Sequence, residues 1–249
     1  MTPLWAANPD ATEIMKRNFY ASKVTNIRRE ATMQLISANG QVRERKSVVL
    51  SKLQNNGIDS DVIIRFEKPE DIRGTVFLQI EHADGDDELW IRLPALRKTR
   101  RLVANNKKDS FVGSDFSYGD ILLPKVESYH HSLLHEEAFE GIPCFVIESI
   151  PASDTVRETS GYGKKVSWIR KDNFFEVKVD YYDIDGQLLK TQLVDQIKEV
   201  DERQQRWIAL KRDMFNHQSN HRTIMTVDSW QAGINLADDV FTTRSLEID

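Results

Sequence analysis

The sequence predicts a mainly β fold of the α+β class: one strongly curved antiparallel sheet forming an incomplete (half) β-barrel with a helical lid or plug. At least ten segments alternate apolar and polar residues between turn signals, which is typical of strands in an antiparallel meander. One helical pattern precedes them, and a turn-rich aromatic segment, residues 109–123, divides them into two groups. Strands in this number can form a wide, incompletely closed sheet whose concave face is filled by helical pieces.

The first predicted element is a helix over residues 10–22. Asp10 or Thr12 provides a start signal, and apolar residues recur at helical spacing between Ile14 and Tyr20. The segment therefore has one apolar face that needs a partner surface.

From Ile27 the pattern changes to the alternation of a strand, and Asn39-Gly40 gives the strongest hairpin signal in the chain. A polar linker with two glycines is predicted at residues 152–164, and a short helical turn is predicted within residues 233–240. The further predicted strands are residues 42–53, 61–68, 75–81, 88–93, 125–134, 140–150, 165–170, 174–182, 188–200, 205–213 and 222–231.

Residues 97–101 (RKTRR) form the densest basic run in the sequence. One interpretation is a solvated strand edge or hairpin. The other is a contact with an anionic headgroup or with a partner protein.

The segment at residues 109–123 (DSFVGSDFSYGDILL) interrupts large side chains with Gly and Ser. It suits neither a long helix nor a regular strand, because Gly and Ser-Asp pairs favour turns and caps. Burying each aromatic side chain contributes roughly 1.5–3 kcal/mol. We therefore expect Phe111, Phe116 and Tyr118 to fold over an apolar surface as a lid or plug, with a helix cap at Ser114 or Asp115.

Composition narrows the possible functions. With 40% apolar and 29% charged residues the 249-residue chain resembles an ordinary globular protein, and a net charge of −5 without a long basic block argues against a nucleic-acid partner. No apolar run approaches the roughly 18 residues of a membrane-spanning helix. Cys144 is the single cysteine, so no intrachain disulfide is possible, and its apolar neighbours predict a small buried side chain.

The domain prediction has two parts. Residues 1–9 (MTPLWAANP) resemble the end of a secretory signal, because Ala6-Ala7 precede a polar stretch, although a basic n-region is missing. We expect either a precursor that begins upstream or a truncated sequence. Residues 10–249 are predicted to form one domain, because no linker is long enough to require two.

No catalytic signature is present, and an enzyme is not expected. The sequence has no Gly-x-Ser-x-Gly, no glycine-rich phosphate loop, no His-Glu-x-x-His and no paired Cys spacing. The acidic turn at residues 83–87 lacks the pattern of an EF-hand, and His131 and His135 would stand roughly 13 Å apart on a strand. We expect no cofactor and no metal.

Several motifs, taken in order, resemble the outer-membrane lipoprotein-sorting protein family, whose members are periplasmic proteins similar to the carrier LolA. The resemblance covers about residues 14–247, and Gly119 departs from it, since an acidic residue is expected before Asp120. The motifs are the strand Leu89-Trp90-Ile91-Arg92-Leu93-Pro94, then Arg100-Arg101, then Gly113-Ser114-Asp115-Phe116-Ser117-Tyr118, then residues 134–148, and finally Trp168-Ile169-Arg170-Lys171-Asp172.

The resemblance implies a LolA/LolB-like half-barrel and a carrier that binds lipid or lipoprotein acyl chains for transport toward the outer membrane. It also implies an exported, soluble, periplasmic protein, with an inner-membrane transporter and an outer-membrane acceptor as further partners. An alternative is a periplasmic sensor or interaction module that uses the same fold to bind a partner protein.

Together, the resemblance and the alternation of the strands predict a ligand cavity. Part of the interior of an incomplete barrel would accept acyl chains, while the rest would be ordinary core. The predicted cavity residues are Ile64, Phe66, Val76, Leu78, Ile91, Ile147, Trp168, Val177 and Val179.

Overall fold

The computed structural model describes residues 10–82, 85–94, 98–123 and 125–247. The predicted signal remnant, residues 1–9, lies outside the described residues, as do Asp84 of the acidic turn and Arg97 of the basic run. In the described part of the chain, no helix is long and apolar enough to cross a membrane.

Within the described ranges, thirteen strands form one open antiparallel sheet, which confirms the predicted fold class. The strands are β1 (Ile27–Ile36), β2 (Val42–Leu53), β3 (Ser60–Lys68), β4 (Val76–Ile80), β5 (Glu88–Leu93), β6 (Lys98–Leu102), β7 (Tyr129–Phe139), β8 (Ile142–Pro151), β9 (Lys164–Arg170), β10 (Glu176–Tyr182), β11 (Leu188–Asp201), β12 (Arg206–Asn216) and β13 (His221–Ala232). The helices are α1 (Ala11–Ala21), α2 (Tyr118–Ile121) and α3 (Asp154–Ser160), and 3-10 turns include Asp238–Phe241 and Thr243–Glu247.

The strand order is β6-β5-β4-β3-β2-β1-β13-β12-β11-β10-β9-β8-β7. Consecutive strands pair with each other except β6 and β7, and one further pair, β1 with β13, is not consecutive in sequence. β1 and β13 pair in the middle and join the two meanders, whereas β6 and β7 follow each other in sequence but lie at opposite edges. The connection between them, residues 103–128, therefore has to span one face of the sheet, and this is the segment that contains the predicted plug.

Helix α1 confirms the predicted helix. The side chain of Asp10 accepts a hydrogen bond from Glu13 N at 2.8 Å and caps the first turn. Ala11 and Ile14 on its apolar face are buried against a cluster on β8 and β9. The first hairpin is also as predicted, with β1 and β2 in register from Ile27/Ser51 to Ile36/Val42.

The two faces of the sheet have different covers. We call the inner face the one that carries Ile64 and Phe66; α1 and the plug (residues 109–123) cover it. The opposite, outer face of β3 and β4 is covered by the C-terminal 3-10 turns, whose Phe241 and Leu246 are buried against Ile63.

Two local predictions differ from the structure. The predicted polar linker at residues 152–164 contains α3, which begins where Ser153 accepts a hydrogen bond from Val156 N. The plug helix α2 is capped by Ser117 rather than by Ser114 or Asp115. The carboxylate of Asp120, the third residue of this helix, accepts a hydrogen bond from Ser117 N and completes a capping box.

Candidate ligand cavity

A cavity of about 340 Å³ lies between the inner face, α1 and the plug. Met15 and Phe19 of α1 form one wall, and Phe116 and Ile121 of the plug form another. The floor consists of inner-face residues from both meanders, including Ile27, Ala31, Val49, Val62, Val227 and Met225.

The nine predicted cavity residues separate into several environments. Ile64 and Val179 line the cavity itself. Phe66 and Ile91 lie on the inner face but are covered by the plug, and Ile147 is covered by α1.

The remaining four do not line the cavity. Val76 and Leu78 lie on the outer face under the C-terminal turns. Trp168 donates its indole N–H to Glu137, and the Lys178 ammonium lies 3.9 Å from its ring centre. Val177 is buried at a bulge in β10, where the register with β9 shifts between Glu176 and Lys178.

The three predicted plug aromatics are all buried, in two clusters. The ring of Phe111 lies 5.7 Å from that of Phe77 and 5.5 Å from that of Tyr118, and both contacts of Phe111 are edge-to-face. Phe116 packs separately with Tyr181 and lines the cavity. The plug thus fills one part of the inner face and forms a wall over the other.

A polar network centred on Asp120 fixes the plug to the sheet. Its buried carboxylate accepts hydrogen bonds from Ser117 N at 2.7 Å, Lys190 Nζ at 2.6 Å and Tyr162 Oη at 2.9 Å. Burial alone would raise the pKa of Asp120, but the charges of Lys190 and Lys165 and the hydrogen bonds lower it below its ordinary value. Asp120 is therefore a carboxylate, and Lys190 is its counter-ion.

A second tether lies one turn earlier in the plug. Asp115 N donates to Thr223 Oγ1 at 2.9 Å, Thr223 Oγ1 donates to the Asp115 carboxylate at 2.6 Å, and Lys190 Nζ reaches Asp115 O at 2.9 Å. Because these bonds join the plug to β11 and β13, the plug can leave the cavity only if they break.

The cavity is more polar than the alternation of the strands predicts. Lys23 and Glu81 form a buried ion pair at its wall. Arg29, Lys165 and Arg212 also line it. The pairing register accounts for part of this polarity. Ser167, Val179 and Gln192 are cross-strand neighbours, and all three line the cavity. Inward positions of this meander therefore include polar residues.

One carboxylate in the cavity is exceptional. The bulge in β10 directs Glu176 to the inner face, where it lines the cavity and accepts hydrogen bonds from Ser167 at 3.2 Å and Gln192 at 3.3 Å. Burial raises the pKa of Glu176, and the charges of Arg212 and Lys165 offset only part of that effect.

Comparisons with known proteins agree with this architecture. A family model described as "Uncharacterized protein" matches residues 59–248. No curated protein matches the chain. A domain of Vibrio parahaemolyticus described as an outer membrane lipoprotein-sorting protein is 30% identical with a TM-score of 0.86, and the match covers 95% of this chain and 97% of that one.

Two further solved structures are similar over almost the whole chain. A DUF1329 family protein from Desulfovibrio piger is 26% identical with a TM-score of 0.86, and the match covers 95% of this chain and 98% of that one. A LolA superfamily protein from Nitrosomonas europaea is 19% identical with a TM-score of 0.73, over 95% of this chain and 99% of that one, and shows the shared fold.

Proposed function

This chain belongs to the LolA-like family of outer-membrane lipoprotein-sorting proteins, and we propose that it is a carrier that binds an acyl chain of a lipid or lipoprotein in its cavity. The LolA-like fold is a non-enzymatic binding fold, in agreement with the sequence prediction. The observation that carries the proposal is the cavity of about 340 Å³ between the inner face, α1 and the plug.

The energetics explain why such a cavity would be needed. Each methylene that leaves an apolar environment for water costs roughly 0.8 kcal/mol, so a chain of about 15 methylenes costs on the order of 12 kcal/mol. A carrier that recovers most of this cost allows transfer through water. Walls that fit loosely then allow the acyl chain to leave again.

The size of the cavity limits the occupant. Ligand pockets typically measure roughly 300–1,000 Å³, so this cavity of about 340 Å³ is at the small end and suits one acyl chain. A cargo with several chains requires the plug to move, and the hydrogen bonds of Asp115 and Asp120 are what that movement has to break.

The same proposal sets the location and the partners. As a carrier the protein would work in the periplasm, between an inner-membrane transporter that loads it and an outer-membrane acceptor that unloads it. Transport toward the outer membrane agrees with the description of the Vibrio parahaemolyticus relative as an outer membrane lipoprotein-sorting protein.

The test is native mass spectrometry of protein purified from a membrane-containing host, followed by lipid extraction. We expect about one lipid or acylated molecule per chain. The variant Ala31→Trp places an indole in the cavity and should remove the bound lipid. Ala138→Trp on the exposed edge strand β7 is the matched control and should retain it.

Lipid-free protein that also fails to bind a fluorescent fatty-acid probe would contradict the carrier function. Equal lipid content in the Ala31→Trp and Ala138→Trp variants would contradict the location of the site. In the first case a sensor that binds a partner protein becomes the function to test.

A further inference from the structure

We propose that Arg29 and Arg212 form an anion-binding subsite inside the cavity, which takes the carboxylate or phosphate group of a single-chain amphiphile. This inference rests on the proposed carrier function and adds the chemical class and orientation of the ligand: the charged head lies inside the cavity rather than in solvent.

The two guanidinium groups lie close to each other on the sheet. Arg29 on β1 and Arg212 on β12 lie on either side of β13, and both line the cavity. Arg212 is paired in register with Met225, and Met225 is itself a cavity residue. Two like charges therefore face one cavity from neighbouring parts of the sheet.

Within the described part of the chain, neither guanidinium group has a carboxylate in contact with it, and the charge of Arg212 acts on Glu176 without an ion pair. In the ranges that the structure describes, neither Arg29 nor Arg212 forms an ion pair within 4.0 Å, and Arg29 Nε is shielded from solvent without a hydrogen-bond partner. Burial first, and then the charge of Arg212, lower the pKa of Arg29 to about 10, so it stays charged at neutral pH. Buried polar groups of proteins are normally hydrogen-bonded, so an unpartnered guanidinium N–H indicates a missing acceptor.

The charged side chains around the cavity are not balanced in number. Lys23 is paired with Glu81 and Lys190 with Asp120, so neither pair contributes a free charge. Lys165 instead faces aromatic rings, 4.9 Å from the centre of Tyr129.

Glu176 is the carboxylate whose pKa responds to both Arg212 and Lys165, and their charges offset only part of the effect of burial, which raises it. One carboxylate against Arg29, Arg212 and Lys165 leaves an excess of positive charge. An added anion would reduce that excess.

The combination with apolar walls defines the ligand. A guanidinium forms paired hydrogen bonds with the oxygens of a carboxylate or phosphate, and such charge-assisted bonds are stronger than neutral ones. Phe19, Ile27 and Val49 line the same cavity and provide the surface for an alkyl chain. An anionic amphiphile can contact both the guanidinium groups and the apolar walls, whereas a free inorganic anion contacts only the guanidinium groups.

The experiment measures binding of dodecanoate, dodecyl phosphate and the neutral dodecanol to the full chain, by displacement of a fluorescent fatty-acid probe. In the parent protein at least one anionic ligand should bind about tenfold or more tightly than dodecanol, as expected for a charge-assisted contact. The stronger of the two anions identifies the headgroup as carboxylate or phosphate.

Arg29→Met and Arg212→Met should each reduce the anionic preference to less than about threefold while dodecanol still binds. Arg28→Met is the matched control, because Arg28 neighbours Arg29 on β1 but forms an exposed ion pair with Glu30 on the other face. It should keep the parent preference.

A second measurement separates binding from folding. Removing an unpartnered, repelled cation should leave the ligand-free protein as stable as the parent or more stable, so Arg29→Met should combine an unchanged or raised Tm with weaker anion binding. A lowered Tm in the ligand-free state would make Arg29 a structural residue and overturn the proposal.

The two levels of inference fail differently. If all three amphiphiles bind the parent protein with equal affinity, the carrier function stands and the anion subsite is wrong. If none binds, both are wrong. Inorganic phosphate alone should compete only weakly, and strong competition would indicate a free-anion site instead of an amphiphile site.

Discussion

The inner face of the sheet has two regions, called here the filled side and the open side, which differ in what covers them. The filled side is the cluster in which Phe66 and Phe77 pack beneath Phe111 and Tyr118 of the plug. The open side is the cavity lined by Arg29, Lys165, Glu176 and Arg212 together with apolar residues. Both belong to one continuous sheet and are bordered by the same plug.

The difference follows from the inward residues. On the filled side they are mostly large and apolar, so aromatic side chains of the plug can cover them. On the open side an aromatic cover would desolvate Arg29, Glu176 and Arg212 without compensation. The first side therefore supplies stability, and the second keeps a space that a ligand with both apolar and charged parts can occupy.

The largest expected effect is on the filled side. Phe111→Ala removes a ring that contacts Phe66, Phe77 and Tyr118, and we expect it to lower the free energy of unfolding by about 3–5 kcal/mol, measured by urea denaturation. The matched control Phe215→Ala removes a ring that is 36% exposed and should cost much less. Equal losses would mean that the plug does not contribute to the core.

The next effect is on the network that joins the two sides. Asp120→Asn removes the charge that accepts hydrogen bonds from Lys190 and Tyr162, and should cost about 1.5–3 kcal/mol at neutral pH. The control Asp172→Asn changes an exposed ion pair with Arg170 and should have a small effect.

The pH dependence checks the sign of the Asp120 effect. The pKa of Asp120 is lower in the folded state than its ordinary 3.8, so its contribution is fully present above about pH 3.8 and is lost as the pH falls through the lower folded value. The stability difference between parent and Asp120→Asn should therefore shrink only in that acid range. A difference that disappears near pH 6 would contradict the assignment of a buried ion pair.

Sequence reasoning was strong where one face of an element is buried and weak where both are. Helix α1 and the hairpin at Asn39-Gly40 follow from periodicity and turn chemistry, and they were predicted within one or two residues. Strand β4 is buried on both faces over Val76–Gln79, so alternation cannot tell which side chains point inward, and the structure places Val76 and Leu78 on the outer face.

The charged interior was missed for a different reason. Charged residues on a strand are usually assigned to solvent, and the inward direction of Glu176 depends on a β-bulge that leaves no clear mark in the sequence. Arg29 alternates in phase with the cavity residues Ile27 and Ala31, although the register with β13 shifts between Glu30 and Ala31. The alternation therefore indicates that the Arg29 side chain points inward, but this interpretation requires a charged residue on the inner face.

A smaller effect, with the opposite sign to that of Asp120, is expected on the open side. Burial raises the pKa of Glu176 in the folded state, so the stability it contributes is present below its ordinary pKa of 4.5 and is lost as the pH rises through the folded value. Glu176→Gln should therefore become more stable relative to the parent as the pH rises above about 4.5, measured by urea denaturation across that range. The gain should be smaller than the Asp120→Asn loss, because Arg212 and Lys165 already offset part of the burial cost. A relative stability that falls with rising pH would show that Glu176 is a favourable counter-ion and would weaken the case for an excess of positive charge.

The smallest expected effect is a test of the empty space itself. Adding methyl groups to a close-packed core usually costs about 1–3 kcal/mol, but Ala31 borders the cavity, and a valine there also suits a strand. Ala31→Val should change the free energy of unfolding by less than about 0.5 kcal/mol, while binding of a fluorescent fatty-acid probe becomes weaker. The plug helix offers the contrasting case: a methyl group added at Gly119 would lie 3.2 Å from the backbone oxygen of Lys107, so Gly119→Ala should destabilise the protein measurably. If Ala31→Val is instead the more damaging of the two, the space beside Ala31 is closed in solution, and the open side is packed as tightly as the filled side.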